Sequence, residues 1–307
     1  MRTPSFSVNE GMTPGLSFAE DLVAIREAGA GGIGIAAGEV GYGRRKLRDE
    51  SDLELFRASG LQAGFCNPGI ASILPRRQQV AGVLGRGPAD PALRVERICG
   101  DIRRLAPFDP VCCICVPGPV GRYEPAEARE IAVAGLRQVV RVAAELEMTV
   151  AIEPMHSSIS DEFSFLTSLP DAVELLEEID EPNTGILFDV WHLWDSPDVC
   201  AHIRAHADRI VGVHVDDWRE PTRSWCDRVL PGDGEADLDG IFRALRDGGF
   251  DGWFELEVLS DDGTFGNEFP DSLWKRDPVE LIREGRAKFL DAWQRSGAPL
   301  PKESRSR

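Results

Sequence analysis

The chain has 307 residues, enough for one large α/β domain, since single barrels of roughly 250 residues are common. Its formal net charge of -18, from 34 Lys+Arg against 52 Asp+Glu, argues against a nucleic-acid partner, because that binding is driven by cationic side chains neutralising phosphates. No run of about 18 apolar residues could span a bilayer, and the start MRTPSFSVNE has no apolar core or small-residue cleavage site, so no membrane partner and a cytoplasmic location are expected.

From the first strand onward, short apolar or β-branched runs alternate with longer amphipathic segments, the pattern of parallel βα units. Strands are predicted near Phe6 to Asn9, Gly32 to Ala36, Gln62 to Cys66, Val111 to Val116, Thr149 to Glu153, Gly185 to Asp189, Ile210 to Val215 and Gly252 to Val258. Helix starts between them are marked locally. In Ser17-Phe18-Ala19-Glu20 the serine and glutamate side chains can satisfy free N–H groups of the first turn, and Pro125 and Pro170 stand where a missing N–H costs nothing. After Glu127, the positions Ile131, Val133, Leu136, Val139, Val140, Val142 and Leu146 give a helix a broad apolar face to lay on a barrel. Seven cysteines, among them the close set Cys112, Cys113 and Cys115, read as small buried hydrophobes, because no second pair supplies tetrahedral thiolate ligands.

Two stretches rich in turn formers, 69–91 and 260–278, interrupt the rhythm, and loops of that length in a compact domain are usually functional. The predicted organisation is one α/β domain, a (β/α)8 TIM barrel over residues 1–298 with long βα loops. A polar tail over 299–307 is expected to be disordered.

Side chains alternate between the two faces of a strand, so each strand can be tested for parity. In TVAIE, Val150 and Ile152 share one face while Ala151 and Glu153 share the other. In GILFD, Ile186 and Phe188 oppose Leu187 and Asp189. In IVGVH, Val211 and Val213 oppose Gly212 and His214. In GWFELEV, Phe254, Leu256 and Val258 oppose Trp253, Glu255 and Glu257. Each apolar face suits a helical layer, and each polar residue points inward at the C-terminal end of its strand, where barrel enzymes build their sites. Three carboxylates and one imidazole suit a hard or borderline divalent ion, Mn²⁺ or Mg²⁺ first, with Co²⁺, Zn²⁺ and Fe²⁺ open.

The segments AIEPMH, LFDVWHLW, VGVHVDDW, RVLPGDGEADL and DGWFELEV resemble the sugar phosphate isomerase/epimerase family of the xylose isomerase-like TIM barrels, which includes ketose 3-epimerases, hydroxypyruvate isomerase, inosose dehydratase and 3-dehydroshikimate dehydratase. That resemblance implies one divalent metal ion ligated by Glu153, Asp189, His214 and Glu257, with His192 and Arg228 on substrate oxygens. Glu255 shares its face with Glu257. Glu257 is preferred as ligand because it lies five residues after Gly252, as in the family pattern, and nearer the strand end.

Endonuclease IV, in the same superfamily, is disfavoured, because all five histidines fall at or after His156 and Asp227-Arg228-Val229 stands where that family has Asp-Arg-His. The expected activity is that of a metal-dependent isomerase or epimerase on an unphosphorylated keto-sugar, polyol or cyclitol, working through an enediolate with Glu153 and Glu257 as acid–base pair. A lyase using the same intermediate is the alternative, whether a dehydratase or an enzyme eliminating from an oxidised glycoside, and a non-catalytic sugar binder is a further one. His156, within a turn of Glu153, is a candidate substrate contact, and Trp191, Trp194 and Trp218 are candidates for an apolar wall. The loop Gly232-Asp233-Gly234-Glu235 reads as a structural turn rather than a phosphate cradle, since its own carboxylates would repel an anion. Phe265, Phe269 and Trp274 suggest a lid or a subunit contact, and with it a homo-oligomer.

Overall fold

Runs such as GIGIA at 32–36 and CCIC at 112–115 carry no polar side chain to present to water, and each forms a strand buried along its whole length. The computed structural model describes residues 3–37, 50–76 and 87–297. In chain order the barrel strands are β1 (Ser5–Asn9), β2 (Gly32–Ala36), β3 (Gln62–Asn67), β4 (Cys112–Cys115), β5 (Val150–Ile152), β6 (Thr184–Asp189) and β7 (Ile210–Val215). The connection after β7 forms a small antiparallel ribbon from β8 (Asp217–Trp218) and β9 (Arg228–Val229), and β10 (Trp253–Leu256) completes the barrel. The closed order is β1-β10-β7-β6-β5-β4-β3-β2 with parallel neighbours, so the chain is a single (β/α)8 barrel. Residues 77–86 of the first long loop and the 299–307 tail lie outside the described residues.

Local chemistry sets the helices as the sequence indicates. Ser17 and Glu20 cap α1 (Phe18–Glu27) reciprocally, and Pro125 opens α4 (Pro125–Ala144), which buries Val133, Leu136, Val139 and Val140 against the sheet. All seven cysteines are free thiols. Cys113 and Cys115 face the helical layer, and Cys112 faces the barrel interior.

Parity holds along β5, β6 and β10. Val150, Ile152, Ile186, Phe188, Phe254 and Leu256 join the sheet–helix core, whereas Ala151 and Leu187 join the interior cluster with Phe65 and Ile114. One assignment differs. Val211 packs with the interior cluster, not the helical layer, because the β6–β7 register shifts between Ile186 and Leu187, a bulge that absorbs one residue. The alternation resumes beyond it. Gly212 faces inward, where a Cβ would stand 2.2 Å from the Phe65 ring, Val213 faces out, and His214 returns to the interior.

Candidate metal centre

Glu153 and Glu257 each follow their strand by one residue, Asp189 ends β6, and His214 stands near the end of β7. The barrel therefore delivers all four to one level. One donor atom from each lies within 4.8 Å of the others. His214 Nδ1 is 3.1 Å from Glu153 Oε1, 3.3 Å from Glu257 Oε2 and 3.6 Å from Asp189 Oδ2. Donors at about 2.0–2.2 Å from a common ion stand roughly 3–3.6 Å apart, so these spacings fit one divalent cation with the imidazole binding through Nδ1. Burial alone would disfavour a charged imidazole, but the carboxylates of Glu257, Asp189, Glu153 and Glu255 outweigh it and hold the His214 pKa well above its usual value. The surroundings of His214 are rich in carboxylates, a donor set whose chemistry suits a divalent cation.

Glu255 lies deeper. Its carboxylate accepts from Ser7 Oγ at 2.7 Å, Asn9 Nδ2 at 3.2 Å and the Phe65 N–H at 3.0 Å, and stands 3.5 Å from His214 Nε2. Gly34 and Gly64 make room for it, because a Cβ at either would fall within 2.3 Å of a Glu255 oxygen. Glu255 is thus the carboxylate nearest the far nitrogen of the imidazole, which has no hydrogen-bond partner of its own, while Nδ1 faces the other donors. Replacing it in Glu255→Gln is expected to weaken Mn²⁺ affinity by roughly 10–100-fold, read by titration calorimetry on metal-stripped protein. An unchanged affinity would show that Glu255 supports the barrel interior and not the site.

Arg228, on β9, reaches the cluster. Its Nη1 is 2.9 Å from Asp189 Oδ2 and 3.0 Å from Glu257 Oε2, and it also donates to Asp216. Its Cζ lies 5.2 Å from the Trp191 ring centre, and its Nε is buried without a partner. Burial works against Asp189's charge, yet Arg228, His192 and His214 hold its pKa below the usual carboxylate range. Asp216 shifts the other way, because burial and the Asp189 charge push it well above its ordinary value. Burial pushes the Glu257 carboxyl up to about 7, with Glu153 and Asp189 adding to the rise and His214 and Arg228 opposing it. His192, lowered by burial to about 3, is neutral. Its Nδ1 accepts the His156 N–H at 3.0 Å, so Nε2 carries the proton, 3.7 Å from Asp189 Oδ2.

Glu153, His192, Arg228 and Glu257 line one cavity together with Asn9, Asn67, Arg76, Phe163, Trp225 and Phe265. His156 is not among its lining residues. In place of the expected substrate contact, its ring packs 4.6 Å from Trp218 and 5.5 Å from Trp191, and its backbone N–H fixes the His192 tautomer. Trp191 and Trp194 both pack on Trp218, with centroids 4.8 and 5.6 Å away, and none of the three is in the cavity lining. The aromatic wall is instead Phe163, Trp225 and Phe265. Phe269 lies beneath Arg223 and Trp274 beside Phe265, so these aromatics find partners within the chain. The Gly232–Ala236 turn spends its N–H groups on Asp217, which accepts from Gly232 at 2.8 Å and Ala236 at 2.9 Å.

Ser7, Asn9 and Asp216 carry a sequence signal. Ser7 and Asn9 alternate with Phe6 and Val8 along β1, and Asp216 lies two residues after His214. The same parity rule therefore turns all three inward. Arg76, Phe163 and Trp225 come from separate loops and carry none.

A closed parallel barrel with four donors gathered at the C-terminal ends of its strands defines a class of barrel proteins with a candidate metal site at that face. The chain belongs to the family described as xylose isomerase-like TIM barrel, whose sequence model matches residues 22–292. It is 33% identical over 125 residues to inosose dehydratase from Geobacillus thermodenitrificans, covering 36% of this chain and 41% of that protein. It is 26% identical over 151 residues to a putative hydroxypyruvate isomerase from Streptomyces coelicolor, covering 48% of this chain and 51% of that one. The chain thus spans about half the length of the curated relatives it matches. Among solved structures, the IOLI protein with a binding zinc atom superposes with a TM-score of 0.72 at 18% identity, covering 96% of this chain and all of that one, a likeness of fold. Among the described residues, no helix is long and apolar enough to cross a membrane.

Proposed function

We propose that this chain is a divalent-metal-dependent isomerase or epimerase that moves a proton at the carbon beside the carbonyl of an unphosphorylated keto-sugar, or of a polyol or cyclitol already oxidised to its ketone. The observation that carries this reading is the placement of two carboxylates, Glu153 and Glu257, in the lining of one cavity and in the same donor cluster as Asp189 and His214. An enolate is unstable, so its formation needs a base, an acid and positive charge near the developing oxyanion. A divalent ion, Mn²⁺ in this reading, held by Glu153, Asp189, His214 and Glu257, would supply that charge.

The remaining work falls to the chain. Glu153 and Glu257 leave strands with β6 and β7 between them, so they approach a planar enediolate from different sides. One takes the proton from carbon and the other returns one, each positioned group contributing roughly 10²–10⁴-fold. His192 donates from Nε2 and Arg228 from its unpartnered Nε, both to substrate oxygens. Return of the proton to the opposite face gives an epimer, and return to the neighbouring carbon gives an aldose–ketose isomer.

β-Elimination is the second reading, favoured by the match to inosose dehydratase. Its first step is the same, and a β-hydroxyl or glycosidic oxygen then leaves instead of a proton arriving. Both are tested by stripping the protein of metal, restoring Mn²⁺, and following keto-sugars and inososes in deuterated water by NMR. Metal-dependent deuterium at the carbon beside the carbonyl is expected. Loss of water from the labelled compound would select the lyase. No incorporation across the panel would overturn proton transfer and leave a sugar-binding barrel.

A further inference from the structure

Two arginines lie near each other after β3, Arg94 buried and Arg76 half-buried, and among the described residues no carboxylate is hydrogen-bonded to either. Arg94, in the first turn of α3 (Pro91–Leu105), spends its guanidinium on neutral acceptors, with Nε to Ser72 O at 2.8 Å, Nη2 to Ser72 Oγ at 2.7 Å and Nη1 to Pro88 O at 3.2 Å. Arg76 lies in the cavity wall, its Cζ 4.2 Å from the Phe163 ring centre, and its Nε and Nη1 are buried with no hydrogen-bond partner. Glu162 and Glu153 act on Arg76 through space, but neither accepts from those nitrogens. Burial and the Arg94 charge bring Arg76 down to about 10, so it remains a cation at neutral pH.

A guanidinium whose Nε and Nη1 are buried and idle is destabilising unless something pairs with it. In a chain with 52 acidic residues against 34 basic ones an internal carboxylate partner is readily come by, and none among the described residues accepts from these nitrogens. Phe163, Trp225 and Phe265 continue from Arg76 along the wall, with centroids 5.4 and 5.0 Å apart, and give that end of the cavity an apolar lining. An ion pair formed there would be far stronger than one at the surface.

We propose that the substrate of the reaction above carries a carboxylate at the end remote from its carbonyl, and that Arg76 receives it. The proposal rests on the proton-transfer reading for the carbonyl end of the molecule. A carboxylate suits the site better than a phosphate, because one guanidinium matches a single charge, Glu162 stands nearby, and the donors of Arg94 are already engaged.

Three ketoses that differ only at C6 test this directly: D-fructuronate, D-fructose and D-fructose 6-phosphate. Binding to the Mn²⁺-loaded protein is measured by calorimetry, separately from deuterium incorporation. Fructuronate is expected to bind at least about 10-fold tighter than fructose. The Arg76→Gln variant should erase most of that preference, and Arg76→Lys should restore part of it, with metal content and melting temperature reporting whether each variant is folded. Equal affinity for fructuronate and fructose, tighter binding of the phosphate, no fructuronate binding at millimolar concentration, or a preference that survives in a folded Arg76→Gln protein would each overturn the proposal. If fructuronate binds through Arg76 while no deuterium enters it or any ketose or inosose of the panel, the carboxylate site stands and the proton-transfer reading fails.

Discussion

Glu257→Gln is expected to lower metal-dependent deuterium incorporation by at least about 10²-fold and to weaken Mn²⁺ affinity by more than the 10–100-fold that an outer-shell change brings. Two separate losses are involved. The amide carries no negative charge for the ion and cannot accept a proton from carbon. It also fits badly. Glu257 Oε1 accepts from Asn9 Nδ2 at 3.0 Å and Oε2 accepts from Arg228 Nη1 at 3.0 Å, so whichever way the amide turns, its NH₂ meets a donor. Glu255→Gln separates the two effects. At saturating Mn²⁺ that variant keeps both Glu153 and Glu257, so its incorporation should recover, whereas Glu257→Gln should stay inactive. A Glu257→Gln protein that keeps its metal affinity would move the ligand to Glu255 and sink the present assignment. The measurements are metal content after dialysis and the rate of label entry at several Mn²⁺ concentrations.

Much of the architecture is legible in the sequence because a parallel barrel writes it twice. Its strands are buried on both faces, so they read as short apolar runs such as GIGIA and CCIC, and its helices are amphipathic, so they read at a different period. The inward direction of Glu153, Asp189, His214 and Glu257 follows from alternation alone. Alternation fails where the backbone inserts a residue. The bulge beside Leu187 places Val211 and Gly212 both inward, and no property of those two side chains announces it. The cavity wall is hidden for a different reason. Arg76, Phe163, Trp225 and Phe265 approach from connections distant in sequence, and a loop's path is set by what it packs against rather than by periodicity. Trp191 and Trp218 show the converse, because their closeness to ligand positions in the chain suggests a substrate wall, while the rings pack on each other outside the cavity lining.

The balance of charge around Arg228 leads to the other large effect. Asp189, Asp216 and Glu257 all direct a carboxylate oxygen at its Nη1, and Arg228 is buried with Asp189 and Asp216 while Glu257 is half-buried. Removing one partner of a buried ionic group strands the others at a cost of about 3–5 kcal/mol. Arg228→Met, which keeps most of the side-chain volume over Trp191, should therefore lower the melting temperature of metal-stripped protein by on the order of 10 °C. A divalent ion offers a second way to compensate the same carboxylates, since Asp189 and Glu257 belong to both sets. Mn²⁺ should then raise the melting temperature of the variant by more than it raises that of the unaltered protein, because binding to the folded state stabilises it in proportion to affinity, and affinity rises when a competing cation is removed. Scanning calorimetry of both proteins, stripped and with excess Mn²⁺, reads the difference. If Mn²⁺ stabilises the two equally, Arg228 and the ion do not share carboxylates, and the arginine's place in the site is structural. If Mn²⁺ stabilises neither, the four-donor cluster does not hold a metal at all.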